Sequence, residues 1–141
     1  MLLVDANVLL YAVNADARHH TAARDWLRQA LNADETVGIA WVAALAFLRV
    51  STGPVALAQP LGVEDASDCL EGWLGRPQVV LLEPTPRHLP LLRSLLASVG
   101  TAGNLVNDAH LAALALEYDA TVISFDRDFG RFAGVRWRLP E

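Results

Sequence analysis

Short apolar runs, each followed by stretches with helical periodicity, recur along this chain and constrain its fold more than any other feature. The runs are brief and rich in Val, Ile and Leu, which is typical of buried strands. They are Met1–Val4, Thr36–Ala40, Val79–Leu82, Thr121–Ser124 and Val135–Leu139. Strands that alternate with helices predict a mainly parallel sheet with helices on both faces. We therefore expect one domain over residues 1–141, of class α/β and built as a three-layer α/β/α sandwich.

The segments between these runs predict the helices. His20–Leu31 is the clearest case, because its apolar side chains recur at helical spacing along one face. The other predicted helices are Val8–Val13, Trp41–Val50, Val63–Leu74 and Pro86–Val99. In the last of these, we expect the core stripe to consist of Leu89, Leu92, Leu95 and Leu96.

Asp108 stands at the head of a further amphipathic helix that is expected to run to about Tyr118. Asn104 and Asn107 precede it, and Asn is a favoured residue at a helix N-terminus. The apolar stripe follows Asp108 at spacings of three, four and seven, as Leu111, Ala112 and Ala115. A carboxylate is thus predicted at the beginning of a buried helical face.

Three more acids follow directly after two of the predicted strands. Asp5 comes after the first strand, and Asp126 and Asp128 come after the fourth. In an open α/β sheet, ligands bind outside the carboxyl ends of the strands. We therefore expect Asp5, Asp108 and Asp126 to converge there, with Asp128 near them. For Asp5 the alternative is an ordinary cap of the following helix.

Carboxylates that converge in one cleft repel one another. At an effective dielectric constant near 20, two such charges about 4 Å apart cost roughly 4 kcal/mol. That is a large share of the ~5–15 kcal/mol that stabilises a typical domain. Either a pKa rises sharply or a cation is bound. Oxygen donors without Cys or His favour Mg²⁺, with Mn²⁺ as the second choice.

Composition excludes several other classes of protein. All 11 basic residues are Arg, and the absence of Lys excludes a P-loop and a Schiff-base mechanism. The net charge of −5 argues against binding nucleic acid through bulk charge. The single cysteine, Cys69, cannot form an internal disulfide, and no apolar run approaches the ~20 residues of a membrane helix. We expect a cytoplasmic protein without a signal peptide or membrane anchor.

The motifs together resemble a known family over essentially the whole chain. They are D-A-N-V-L-L-Y at the start, F-L-R-V-S-T-G-P in the middle, and N-D-A-H-L-A-A-L-A-L-E-Y-D-A-T-V-I-S-F-D-R-D-F near the end. In this order and spacing they resemble PIN-domain ribonucleases, and more narrowly the VapC toxins of VapBC toxin–antitoxin modules. The resemblance implies a PIN-like fold, a Mg²⁺-dependent endoribonuclease activity and a water molecule, activated by the metal, that attacks an RNA phosphate.

The resemblance also implies roles for individual residues. Asp5 and Asp108 would be the principal metal ligands, and Asp126 would complete the catalytic acidic cluster. Asp128 would act through water. Supporting hydrogen bonds would come from Asn7 and Ser124.

Ala46 departs from the family pattern. Many members carry a Glu in this helix, just before the F-L-R segment. A second metal site is therefore in doubt, and one-metal chemistry or weaker metal affinity is the hypothesis. The same departure supports the alternative function, a catalytically weak PIN-like module that binds RNA or a protein.

The resemblance finally implies partners: an RNA substrate, a cognate VapB-like antitoxin and a second copy of the chain in a homodimer. Arg49, Arg127 and Arg131 are candidate RNA contacts, and Arg136 and Arg138 extend the basic segment near the C-terminus. A solvated surface is the alternative for these residues, as is a favourable helix dipole for Arg49. Apolar side chains that could serve the homodimer or the antitoxin are Trp41, Leu45 and Leu48, with packing in the core as the commoner alternative. His19 and His20 are read as solvated residues at a helix start, in preference to metal ligands.

Overall fold

In a computed structural model, the chain alternates strands and helices as the sequence predicts. The structure describes residues 1–100 and 103–141, with Asn104 described by its backbone alone. Those residues form five strands: β1 (Leu2–Val4), β2 (Val37–Ala40), β3 (Val79–Leu82), β4 (Thr121–Ile123) and β5 (Arg136–Arg138). They also form six α-helices: α1 (Ala6–Val13), α2 (His20–Ala30), α3 (Trp41–Ser51), α4 (Val63–Leu74), α5 (His88–Val99) and α6 (Val106–Glu117). Single 3₁₀ turns cover Gly103–Leu105 and Arg127–Arg131.

The strands pair in the order β3-β2-β1-β4-β5, and every pairing is parallel. The chain therefore moves from β1 outward to β3 and then returns to the other side of β1. This reversal lies between β1 and β4, where the register places Val4 opposite Ile123. The two strands end at the same level, so the residues that follow them share one edge of the sheet. Such a reversal point is where open α/β sheets bind ligands.

Helices cover both faces of the sheet, which confirms the three-layer prediction. Along β1, Leu2 and Val4 point into one core and Leu3 into the other, as the twofold periodicity of a strand requires. The first core contains buried side chains of α1, α2, α3 and α4. The second contains buried side chains of α5, α6 and the turn at Arg127–Arg131. No helix among the described residues is long and apolar enough to cross a membrane.

Helix α5 differs from its prediction in its start and in its buried face. It begins at His88 and not at Pro86, because Thr85 holds a turn there: its hydroxyl accepts a hydrogen bond from the Arg87 N–H at 3.2 Å. The core stripe runs through Leu95 and leaves Leu89 67% exposed. Six residues of helical rotation, at about 100° each, place Leu89 roughly 120° away from Leu95.

Helix α6 begins without the predicted Asn107 cap. Asn107 lies inside the first helical turn, and the cap position is Leu105, which forms no side-chain capping bond. The reason is the 3₁₀ turn that leads directly into the helix, so that no residue in extended conformation precedes it. The predicted cap by Asn104 lies outside the described side chains. The predicted stripe is confirmed, since Leu111, Ala112 and Ala115 are all buried.

Candidate active site

Asp5 occupies the turn between β1 and α1, at the carboxyl edge of the sheet. Its backbone N–H donates to the Ile123 carbonyl at 3.0 Å, which fixes it against β4. Its Oδ1 accepts a hydrogen bond from the Ala6 N–H at 2.7 Å and so caps α1. The cap uses one carboxylate oxygen only. Asp5 is therefore both a helix cap and a carboxylate that faces the sheet edge.

Ser124 and Asn7 hold the second oxygen of Asp5. The Ser124 hydroxyl donates to Asp5 Oδ2 at 2.6 Å, and the Asn7 amide donates to the same oxygen at 3.0 Å. Asn7 Nδ2 also lies 3.0 Å from Ser124 Oγ, and Asn7 Oδ1 accepts from the Phe125 N–H at 3.2 Å. Ser124 is fully buried. Asn7, Ser124 and Asp5 thus form a hydrogen-bonded network between α1 and the end of β4.

Asp126 and Asp128 follow in the turn after β4. The Asp126 N–H donates to Ser124 Oγ at 2.9 Å, which ties its backbone to the same network. Asp126 Oδ1 in turn accepts from the Asp128 N–H at 2.8 Å and caps the 3₁₀ turn. Asp126 is half-buried and Asp128 is exposed. One network therefore places Asp5 and Asp126, and Asp128 lies at its solvent side.

Asp108 approaches from the first turn of α6, on the other face of the sheet. Burial and then the charges of Asp126, Asp5 and Asp128 raise the pKa of Asp108 to about 6. Burial also raises the pKa of Asp5, with a further contribution from Asp126, while hydrogen bonds from Ser124 and Ala6 lower it. The charges of Asp5, Asp126 and Asp128 thus all act on Asp108, and they add to the effect of burial on its pKa.

The donor set suits a hard cation such as Mg²⁺. The groups are carboxylate oxygens, and a divalent charge would reverse the repulsion that raises the pKa of Asp108. Among the described residues, however, no three His, Cys, Asp or Glu side chains already form a metal-ligating group. Asp5 and Asp126 direct oxygens to protein donors instead. The carboxylates therefore do not yet converge on one point, and they would have to turn to bind a cation together.

The predicted RNA contacts occupy different parts of the surface. Arg127 and Arg131 are exposed in the turn that Asp126 caps, so they flank the cluster. Arg49 is exposed in the last turn of α3. Arg136 does not extend a track beside Asp126. It pairs in register with Thr121 at the opposite end of β4 and forms an ion pair with Asp119 at 2.8 Å.

The face of α3 predicted for a partner is only partly exposed. Trp41 is 47% exposed and Leu45 is 57% exposed. Leu48 instead packs partly buried against the core of α1 to α4. Ala46 is half-buried on the same helix.

Two side-chain clusters were missed by the sequence analysis. Tyr11, His19 and Phe125 form an aromatic group in which the His19 and Phe125 rings stack, with centroids 4.6 Å apart. The only sequence signal is that Phe125 stands between Ser124 and Asp126. The second cluster ties α5 to α6: His88 Nδ1 lies 2.7 Å from Glu117 Oε2, and His88 Nε2 lies 2.8 Å from His110 Nδ1. Separations of 22 and 29 residues left no local pattern to reveal it.

Comparison with known proteins relates the chain to one family. Residues 2–135 match the PIN domain family. Ribonuclease VapC37 of Mycobacterium tuberculosis is 51% identical over 140 residues, which cover 99% of this chain and 97% of that protein. Ribonuclease VapC33 of the same species is 41% identical, with 99% and 98% covered.

Solved structures agree on the fold. The VapBC2 structure from Rickettsia felis, bound to a promoter DNA fragment, superposes with a TM-score of 0.72 at 17% identity, covering 99% of this chain and 98% of that one. The Mycobacterium tuberculosis toxin VapC20, which cleaves the sarcin–ricin loop, superposes with a TM-score of 0.69 at 16% identity, covering 96% and 99%. At 16–17% sequence identity, these superpositions show a shared fold and nothing more.

Proposed function

Because this chain belongs to the PIN-domain family and, within it, to the VapC ribonucleases, we propose that it is the toxin of a type II toxin–antitoxin system. Its activity is the metal-dependent, internal cleavage of RNA. The observation that carries this proposal is that one hydrogen-bonded network places Asp5 and Asp126 at the carboxyl edge of the sheet, where their charges also raise the pKa of Asp108. Carboxyl groups with raised pKa values gathered at one place are typical of a functional site.

Mg²⁺, or Mn²⁺ in its place, would be held by Asp5, Asp108 and Asp126, with Asp128 acting through water. When bound, such an ion polarises a phosphate oxygen and lowers the pKa of a water molecule. The chain's own residues prepare the site for it. Ser124 and Asn7 donate to Asp5 Oδ2, which keeps that carboxylate oriented and favours its ionised form. Asp126 is held by its own turn, so its carboxylate stays at the sheet edge.

The RNA backbone would approach along Arg127 and Arg131, the two exposed cations nearest in sequence to Asp126. Arg guanidinium groups bind phosphate in a planar, two-pronged geometry. With a net charge of −5, the protein as a whole repels RNA. Binding therefore depends on a local set of contacts, which favours a folded RNA element such as a stem-loop over RNA in general.

The proposed partner is a VapB-like antitoxin, since solved relatives of this fold are toxin–antitoxin complexes. An antitoxin segment across the active-site groove, with an Arg on the acids, would inhibit the enzyme. The exposed Trp41 and Leu45 on α3 supply an apolar surface for a homodimer. Such a toxin acts on cellular RNA, so a cytoplasmic location is part of the proposal.

A second candidate function rests on Ala46. Without a carboxylate there, the cluster has one acid fewer than many relatives have, and the chain would then bind RNA or a protein with little cleavage. The nuclease and an RNA-binding module both predict RNA binding, whereas a protein-binding module does not. Only the nuclease predicts cleavage that depends on a metal.

The deciding experiment incubates purified, antitoxin-free protein with total cellular RNA in Mg²⁺, Mn²⁺ or EDTA. Asp5→Asn and Asp108→Asn are tested beside it, with Asp34→Asn as the matched control, because Asp34 is an exposed loop acid. We expect discrete fragments that disappear in EDTA and in both cluster variants but persist in the control. Intact RNA with folded wild-type protein would refute the nuclease and favour the binding module. Cleavage that survives both cluster variants would point to a contaminating enzyme.

A further inference from the structure

The aromatic group of Tyr11, His19 and Phe125 lies beside the acidic cluster and has no part in the proposed chemistry. The His19 and Phe125 rings are nearly parallel, at 14°, and Tyr11 closes the group with centroids 5.3 Å from Phe125 and 6.0 Å from His19. The three residues come from α1, from the turn before α2 and from the end of β4. A planar stack is thus assembled from distant parts of the chain.

Its position is fixed by the same network that holds the acids. Phe125 stands between Ser124, which binds Asp5, and Asp126, and its N–H donates to Asn7 at 3.2 Å. On the other side, His20 Nδ1 lies 2.7 Å from the Tyr11 carbonyl and secures the turn that carries His19. The stack therefore cannot shift far without disturbing the carboxylates.

The stack opens onto a shallow pocket of about 250 Å³. Its walls include His19, Ala22, Phe125 and Arg127, and the C-terminal residues Leu139 to Glu141 complete them. His19 and Arg127 are exposed, whereas Phe125 is half-buried. Glu141 contributes a negative charge to the same pocket as Arg127, so the pocket has no excess of positive charge to attract a phosphate by itself. Flat apolar rings beside a single cation suit a planar base better than a phosphate group.

We propose that this pocket binds one unpaired nucleobase of the RNA, next to the phosphate at the acidic cluster, by stacking on the exposed His19 ring, which Phe125 supports from its other face, with Arg127 beside it. Unstacked bases in RNA are commonly bound on aromatic rings and Arg planes. The proposal rests on the proposed function, because it assigns a subsite to the same RNA substrate. His19 and Phe125 are positioning residues in this scheme, since neither touches the reacting phosphate.

The test uses variants of the exposed His19, which can be changed without opening the core. His19→Ala removes the stack, and His19→Phe retains a flat ring. Gln29→Ala is the matched control, because Gln29 is exposed at the far end of α2, the helix that follows His19. Binding of a labelled RNA stem-loop with an unpaired loop is measured by fluorescence anisotropy, with all proteins in an Asp108→Asn background and EDTA. Binding is then recorded without cleavage.

We expect His19→Ala to weaken RNA binding about tenfold, the size of one lost base–aromatic stack. His19→Phe should restore it, and Gln29→Ala should leave it unchanged. In the active protein, the same His19→Ala change should raise KM with little effect on kcat. Equal binding by His19→Ala and Gln29→Ala would overturn the proposal, as would a failure of His19→Phe to recover affinity.

The two proposals can fail separately. If the wild type cleaves RNA in a metal-dependent way and His19→Ala binds RNA as tightly as the wild type, the nuclease is supported and the base pocket is refuted. Binding that depends on His19, from a wild-type protein that cleaves no RNA, would support the pocket and refute the nuclease.

Discussion

Asp108→Asn is expected to stabilise the metal-free protein, although it removes a residue of the proposed active site. The carboxylate is partly buried and faces three other acids, so its charge opposes folding. Asn has nearly the same shape and carries no charge. Replacing Asp108 therefore relieves the repulsion without leaving a cavity.

The magnitude follows from the pKa shift. The pKa of Asp108 rises from 3.8 to about 6 in the folded protein. At about 1.4 kcal/mol per pKa unit, the whole shift corresponds to roughly 3 kcal/mol. Since Asp108 is partly exposed, solvent screens the repulsion, and we expect a gain of about 1–2 kcal/mol in the free energy of unfolding near neutral pH.

The raised pKa of Asp108 also determines how the stability difference between Asp108→Asn and the wild type changes with pH. Because the folded-state pKa is raised, the carboxyl group is neutral in both states below about pH 4, and it does not then oppose folding. The stability of the wild type falls as pH rises from there through the folded pKa of about 6. The advantage of Asp108→Asn should therefore be full above neutral pH and absent in acid.

The assay is urea unfolding in EDTA, followed by the fluorescence of the four tryptophans. Asp34→Asn serves as the control and should change stability by no more than about 0.5 kcal/mol. Mg²⁺ should then stabilise the wild type more than Asp108→Asn, because a ligand stabilises the state that binds it. A variant no more stable than the wild type near neutral pH would refute the reasoning, as would a gain that persists unchanged in acid.

Three further outcomes are expected. Ser124→Ala should lower the free energy of unfolding by about 2–3 kcal/mol, because the Asp126 N–H loses its acceptor and Asp5 loses a donor. A melting temperature equal to that of the wild type would contradict this. Glu117→Gln should lower the free energy of unfolding by about 2–4 kcal/mol, because the buried carboxylate accepts hydrogen bonds from Thr85 and lies 2.7 Å from the Nδ1 atom of His88. Burial raises the pKa of Glu117, but the hydrogen bonds from Thr85 and His88 lower it by more, so the net shift is downward. The stability that Glu117 contributes should therefore be present above about pH 4.5 and be lost as the pH falls. Ala46→Glu should lower the Mg²⁺ concentration needed for cleavage, whereas Ala46→Gln should not. An unchanged Mg²⁺ dependence in Ala46→Glu would refute the hypothesis that Ala46 weakens metal binding.

The sequence predicted the fold more completely than the site. Val63–Leu74 and Val79–Leu82 were placed to the residue, and the other elements differ from prediction by only a few residues at their ends. The errors concern orientation. Leu89 was assigned to the core and is exposed, and Arg136 was placed beside Asp126 but lies at the other end of the sheet. Both errors arise because a local pattern gives the type of an element without saying which neighbour covers it.

What the sequence by itself determined is the order of strands and helices and the placement of acids after β1 and β4. These follow from hydrophobic periodicity, which is written within a few neighbouring residues. The tertiary structure alone decided that β1 and β4 are neighbours, so that Ser124 reaches Asp5 across 119 positions of the chain and Asn7 joins them. It also decided the stack of His19 on Phe125 and the bonds of His88 to Glu117 and His110. The physical reason is that strand order and side-chain partners depend on the packing of both cores at once, and no short segment carries that information.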